Sequence, residues 1–270
     1  VMGDLVASER QRLRLVGLVH HPLADETGLT PARASALRAA EVRALGKVHR
    51  IVATSRATRR RLAEMGLDPE QVAVIEPGTD PAPLAVRSGQ PPLQLLSVGA
   101  VIARKGHLTL IDALAALKEH PWTLRIVGSL DREPTVVAQA RDRIARSGLE
   151  ERVILTGELD EAALEQAYQQ ADVFVLASLF EGYGMAFAEA LARGLPIVGS
   201  GDGAVRQTVP ASASLLVEPG STQALSGALG IMLSDPARRQ ACSRGAERAR
   251  ANLPDWPSRC RHWSETLSHV

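Results

Sequence analysis

From Gln94 onward, short apolar runs alternate with segments of helical period, and this rhythm constrains the fold more than any other feature of the chain. The apolar runs are Leu95–Val98, Leu124–Val127, Val153–Leu155, Val173–Ala177, Ile197–Val198 and Leu215–Val217, each bounded by Gly, Asp or Pro. Between them the periodicity predicts helices over His107–Lys118, Thr135–Arg146, Glu161–Gln170, Met185–Arg193 and Ala204–Val209. Thr222–Leu233, Pro236–Ala251 and Pro257–Leu267 then follow as closing helices. Continuously apolar strands suit a sheet buried on both faces, and their alternation with helices predicts a doubly wound parallel α/β sheet.

The first part of the chain repeats the rhythm less completely. Leu15–Val19, Ile51–Ala53 and Val72–Ile75 read as strands, and Pro31–Leu45 and Thr58–Met65 as helices, with Ser55 as an N-cap and Gly66 as a C-terminal glycine. Three strands are few for a parallel sheet, so residues 1–78 are expected to be a partial domain. Residues 79–93 carry Pro81, Pro83, Gly89, Pro91 and Pro92 without hydrophobic period, and read as an interdomain linker. A complete domain is expected over 94–254, with a last helix over 255–270. The chain starts at Val1, so a longer parent is expected.

Composition removes several classes of function. Lys and Arg number 31 against 30 Asp and Glu, a net charge of +1, whereas a dedicated nucleic-acid binder needs a strong local excess of cations. No run approaches the ~20 apolar residues of a membrane span, and the N-terminus lacks a signal-peptide layout, so a cytoplasmic location is expected. Cys242 and Cys260 have no Cys or His partners at ligand spacing, which predicts neither a disulfide framework nor a metal site. No cofactor motif appears either. Trp256 and Trp263 are most simply packing residues.

In a doubly wound sheet, ligands bind beyond the carboxyl ends of the strands, where loops lead into helix N-termini. After Val98 the chain places Gly99 and then Arg104-Lys105-Gly106 just before a helix, cations suited to phosphate; a solvated surface pair is the competing reading. After Ala177 come Glu181, Gly182, Tyr183, Gly184 and Met185. The two glycines let the backbone turn so that amides around Tyr183–Ala186 open a helix whose positive dipole end can hold an anion. Glu189 follows about one and a half turns into that helix, among Phe187, Ala188, Ala190 and Leu191. A charge there is costly unless paired. After Val198, Gly199-Ser-Gly201-Asp202-Gly203 is a flexible turn that fails the dinucleotide fingerprint, and no phosphate loop of the Gly-x4-Gly-Lys type exists.

Taken together, these residues resemble family 4 of the glycosyltransferases, the retaining group with the GT-B architecture of two facing Rossmann-like domains. Glu181 and Glu189, separated by seven residues, stand in Ser178-Leu-Phe-Glu181-Gly182-Tyr183-Gly184-Met185 as in the family's signature. Ala53-Thr-Ser55, Val74 to Asp80, Ser97-Val-Gly99, Arg104-Lys-Gly106, Ile126-Val-Gly128, Leu155-Thr-Gly157, Ala171-Asp172-Val and Gly194-Leu-Pro196-Ile-Val match in order. The resemblance implies transfer of a hexose from a nucleotide diphosphate sugar, a UDP- or GDP-sugar, to an acceptor hydroxyl, without bound metal or cofactor. It assigns 94–254 to donor binding and 1–78 to the acceptor side, with the last helix crossing back to the first domain.

By the same resemblance, Arg104 and Lys105 would hold the diphosphate and Glu181 the donor-sugar hydroxyls. Gly182 to Met185 would lie at sugar and phosphate, and Glu189 would accept from the two ribose hydroxyls. Gly99 and the loop of Thr156, Gly157 and Leu159 would border the nucleotide, and His20 would approach the transferred sugar. Ala100 follows Gly99 where many members carry Arg, and the family's opening strand and glycine-rich loop do not precede Val1. A non-catalytic nucleotide-sugar-binding fragment is therefore a competing reading, and a GT-B-like sugar-nucleotide epimerase another. Arg56, Arg59, Arg60 and Arg61 make one helix basic, which raises peripheral contact with an anionic inner membrane face; a solvated helix face competes with it.

Overall fold

The computed structural model describes residues 2–201 and 203–270 of the chain, which divide into two units, one made of Val1–Thr79 with Pro254–Val270 and the other of Asp80–Leu253. In the first, α1 (Met2–Glu9) precedes β1 (Val16–Val19), α2 (Pro31–Leu45), β2 (Arg50–Ala53), α3 (Arg56–Glu64) and β3 (Val72–Val74). The strands form a three-stranded parallel sheet in the order β1-β2-β3. Ser55 caps α3, its hydroxyl accepting from the Thr58 amide, and Gly66 follows the helix at φ +99°. Ile51, Val52, Ala53, Leu62 and Val72 fill the core of this unit, while Leu18 on the edge strand β1 is half exposed.

The second unit runs β4 (Leu93–Val98), α4 (His107–Ala115), β5 (Trp122–Val127), α5 (Pro134–Arg146), β6 (Val153–Gly157), α6 (Glu161–Gln170), β7 (Val173–Leu176), α7 (Met185–Ala192), β8 (Ile197–Ser200), α8 (Ala204–Thr208), β9 (Ser214–Val217), α9 (Thr222–Ser234) and α10 (Pro236–Ala249). All its strand pairs are parallel, in the order β6-β5-β4-β7-β8-β9. Sequence order reverses between β4 and β7, the doubly wound arrangement that the alternating pattern predicts. Every residue of β7 is buried, with helices on both faces. Burying each such Val or Leu side chain contributes roughly 1.5–3 kcal/mol, which is why these strands read as continuous apolar runs.

Residues 80–92 have no helix or strand, yet they lie along the second unit. The amides of Ala85 and Val86 donate to the carbonyls of Arg193 and Gln169, and Gly89 donates to the buried Asp172 carboxylate at 2.8 Å. The last helix, α11 (Trp256–Ser268), packs with the first unit: the Thr79 amide donates to the Pro254 carbonyl at 2.7 Å.

Candidate functional site

The loops leaving β4 and β7 meet where the strand order reverses, and such a switch point is where open α/β sheets take ligands. The loop after β4 folds into a 3-10 turn over Ala103–Lys105 and reaches α4 through Gly106, at φ +67°. A Cβ at Gly106 would stand 1.9 Å from the Ala177 carbonyl oxygen, so only glycine lets this loop press against the end of β7. Two further bonds lace the loops together. The Leu179 amide donates to the Arg104 carbonyl at 2.8 Å, and Arg104 Nη1 donates to the Phe180 carbonyl at 3.1 Å. Arg104 and Lys105 are thus held against the loop after β7, with their side chains largely buried.

Glu181 is 9% exposed and sits at the centre of that site. Its Oε1 accepts from Lys105 Nζ at 2.7 Å and from Ser178 Oγ at 2.5 Å, and Arg104 Nη1 lies 3.7 Å from Oε2. A buried carboxylate is tolerable because these donors replace its water. The Ser178 carbonyl in turn accepts from Ser200 Oγ at 2.7 Å, tying the end of β8 to the loop after β7. Gly99 lies under the stem of Lys105, where a Cβ would stand 3.2 Å from Cε. Position 128 is held still closer, since a Cβ there would meet the Gly99 carbonyl oxygen at 2.3 Å.

Gly182, Tyr183 and Gly184 carry the chain into α7. Gly184 takes the left-handed N-cap conformation, φ +94°, and Met185 begins the helix with its side chain partly exposed. The first amides of a helix have no intrahelical acceptor and carry the positive end of the dipole, so this N-terminus beside two cations favours an anion. The Tyr183 carbonyl accepts from Thr208 Oγ1 at 3.1 Å. Glu189, half-buried on α7, finds the pairing that its apolar neighbours demand: Tyr168 donates its phenol to Oε2 at 2.8 Å.

On the loop after β6, Thr156 Oγ1 donates to the Ile126 carbonyl at 3.1 Å, Gly157 takes φ +75° and Leu159 packs against the apolar cluster around Phe174. The Thr156 hydroxyl therefore supports the backbone of this loop. His20 belongs to the other unit, exposed at the carboxyl end of β1, with its carbonyl accepting from Thr54 Oγ1. His21 beside it is held 3.2 Å from Glu26 Oε2. In the glycine-rich turn after β8, Asp202 lies outside the described residues. On α3, Arg61 is engaged by Asp25 and Glu64, which push its guanidinium pKa up, and Arg59 lies 3.5 Å from Glu70. Arg56 and Arg60 are the outward-facing cations of that helix.

Among the described residues no group of three or more His, Cys, Asp or Glu could hold a metal, and no helix is long and apolar enough to cross a membrane. Sequence reasoning missed Ser178, Ser200, Tyr168 and Arg193 as parts of the site. Only Ser178 had a visible signal, its place within the Glu181 motif.

Two parallel Rossmann-like sheets, the larger with its cation–carboxylate cluster at the reversal of strand order, define a GT-B α/β protein. The fold is similar to that of sucrose-phosphate synthase from Thermosynechococcus elongatus, at TM-score 0.85 and 24% identity, covering 99% of this chain and 71% of that one. It is similar also to the Anabaena protein HepE in complex with UDP and glucose, at TM-score 0.84 and 22% identity, covering 99% and 76%. The chain belongs to the glycosyl transferases group 1, whose family model matches residues 85–249, and the Glycosyltransferase Family 4 model matches residues 3–83. A D-inositol 3-phosphate glycosyltransferase of Kineococcus radiotolerans is 32% identical over 232 residues, 74% of this chain and 53% of the relative. An MMP alpha-(1->4)-mannosyltransferase of Mycolicibacterium hassiacum is 26% identical over 260 residues, 90% of this chain and 62% of the relative. The chain spans about half the length of curated relatives such as the first of these.

Proposed function

We propose that this chain carries the donor site of a retaining glycosyltransferase that moves a hexose from a UDP- or GDP-sugar to an acceptor hydroxyl. The observation that carries the reading is the cluster of Glu181, Lys105 and Arg104 at the reversal of strand order, beside the N-terminus of α7. Relatives named as glycosyltransferases and a neighbour of the same fold bound to UDP and glucose support it.

In this reading the diphosphate lies against Arg104, Lys105 and the first amides of α7, and Glu189 takes the ribose. Glu181 accepts from hydroxyls of the donor sugar. The acceptor oxygen forms a bond to the anomeric carbon on the face from which the phosphate leaves. The bond from that carbon to the phosphate oxygen breaks, and the hydroxyl proton passes to the departing phosphate. The anomeric configuration is kept and no enzymic nucleophile is needed. Lys105 and Arg104 stabilise the charge that develops on the leaving group, the term that usually dominates such catalysis.

The test uses the full-length protein with a panel of UDP- and GDP-hexoses. Lys105→Ala and Glu181→Gln are each expected to lower kcat by about 10²–10³-fold while the thermal unfolding profile stays cooperative. Normal transfer by either folded variant would overturn the assignment. Because the chain spans about half the length of its relatives, a fragment that binds nucleotide sugar without transferring it is the second reading. Product formation, measured beside nucleotide binding on the same sample, separates the two.

A further inference from the structure

Behind Glu189 stands a set of side chains whose geometry exceeds what packing requires. Tyr168 is wholly buried on α6, and its hydroxyl donates to Glu189 Oε2 at 2.8 Å. Its ring is stacked near that of Phe174, with centroids 6.3 Å apart and planes 18° from parallel. The Arg193 guanidinium lies over the same ring at 4.2 Å. Arg193 is itself fixed, donating through Nη1 to the Glu189 carbonyl at 3.0 Å and through Nε to Glu165 Oε2 at 2.9 Å. Glu165 also accepts from Gln169 Nε2 at 2.8 Å. Burial would raise the Glu165 pKa, but the bonds from Arg193 and Gln169 hold it below the usual value, so this residue remains an anion and Arg193 keeps its anchor.

The direction of the Tyr168 bond is settled by chemistry. Burial, and after it the neighbouring carboxylate, push the phenol pKa well above its ordinary value, so the hydroxyl keeps its proton. An ionised carboxylate only accepts. One of its roughly four lone-pair sites is thereby occupied by a donor whose ring is packed by Phe174 and Arg193, which restrains the carboxylate. Glu189 is half-buried, and a carboxylate has acceptor sites beyond the one that Tyr168 occupies.

Resting on the reading that Glu189 holds the donor's ribose, we infer that Tyr168, clamped by Arg193, is a positioning residue that sets the Glu189 carboxylate for a vicinal diol and so for ribonucleotides over 2′-deoxyribonucleotides. Removing the phenol oxygen leaves the ring packed but frees the carboxylate to turn. Affinity that depends on the ribose hydroxyls falls, whereas affinity from phosphate and base does not. A purely structural Tyr168 would weaken both kinds of ligand equally.

Calorimetry on the whole chain with UDP, GDP and their 2′-deoxy counterparts tests this. The wild type is expected to favour the ribonucleotide by about tenfold, and Tyr168→Phe to reduce that ratio to threefold or less with the deoxy affinity within twofold of wild type. In a Glu189→Gln background, Tyr168→Phe is expected to have no further effect on the ratio. If Tyr168→Phe does not fold, Arg193→Gln, which unclamps the ring, is expected to lower the ratio in the same way. A folded Tyr168→Phe that keeps the full ratio overturns the inference while leaving the ribose reading intact. A wild type that binds neither nucleotide, or binds without ribose preference, overturns the ribose reading itself and the inference with it.

Discussion

His107 opens α4 next to Lys105 and is buried, with neither ring nitrogen hydrogen-bonded among the described residues. Burial, followed by repulsion from Lys105, pushes its pKa down to about 3 from 6.5. At pH 7 the ring is neutral in the folded chain and mostly neutral in the unfolded one, so the term is small there. As pH falls below 6.5, only the unfolded chain takes up the proton, and the fold loses up to about 1.4 kcal/mol per pH unit until pH approaches the folded value. Between pH 7 and 5 the loss sums to about 2 kcal/mol. His107→Leu, of similar bulk, removes the proton site. Urea unfolding at both pH values is expected to show the wild type losing about 2 kcal/mol more than the variant over this interval. Equal losses would mean that the imidazole is protonated within the fold.

Among the elements, two glycines in neighbouring helices should respond to alanine with opposite signs. Gly227 is exposed on α9 with open space around it, so alanine gains helix propensity worth about 0.5–1 kcal/mol. Gly245 is buried on α10, where a Cβ would meet the Ser212 carbonyl oxygen at 1.9 Å, and overpacking of about 1–3 kcal/mol outweighs the same propensity gain. Denaturant midpoints of the two variants are expected to move in opposite directions; a stabilised Gly245→Ala would show that α10 shifts away from Ser212 without cost. This contrast also marks what the chain discloses about itself. Fully buried strands such as Val173–Leu176, and local signals such as the Ser55 cap, lie in adjacent letters and are read directly. The helix at Met2–Glu9, with Asp4, Leu5, Ala7 and Ser8 exposed and no strong apolar stripe, carries no such signal. In the candidate site, the cations and Glu181 are legible because they stand in loops with glycines, and Glu189 because a charge interrupts the apolar run of α7. The partners that fix them are not, since Tyr168 reaches Glu189 across 21 residues of sequence and Ser200 reaches Ser178 across 22. Such pairings depend on strand order, which periodicity does not encode.

At the scale of the molecule, the chain leaves the first unit after Thr79 and re-enters it at Pro254, so α11 completes a unit that the chain had left for the whole length of the second one. Gly78 lies directly against the start of α11: a Cβ there would stand 2.5 Å from the Trp256 amide nitrogen. Gly78→Ala therefore has to displace the start of α11, and its cost falls on the unit that contains both residues. The cation cluster, the α7 N-terminus and the Tyr168–Glu189 pair all belong to the other unit. Hydrogen exchange is accordingly expected to speed up in peptides covering 50–79 and 256–270 of the variant, with β7 and α7 unchanged and the affinity for UDP or GDP within twofold of wild type. Local opening of this kind has its own free energy, distinct from that of global unfolding, so the two readouts can separate. A tenfold loss of nucleotide affinity, or equal loss of protection across both units, would overturn the expectation that the cost stays within the first unit.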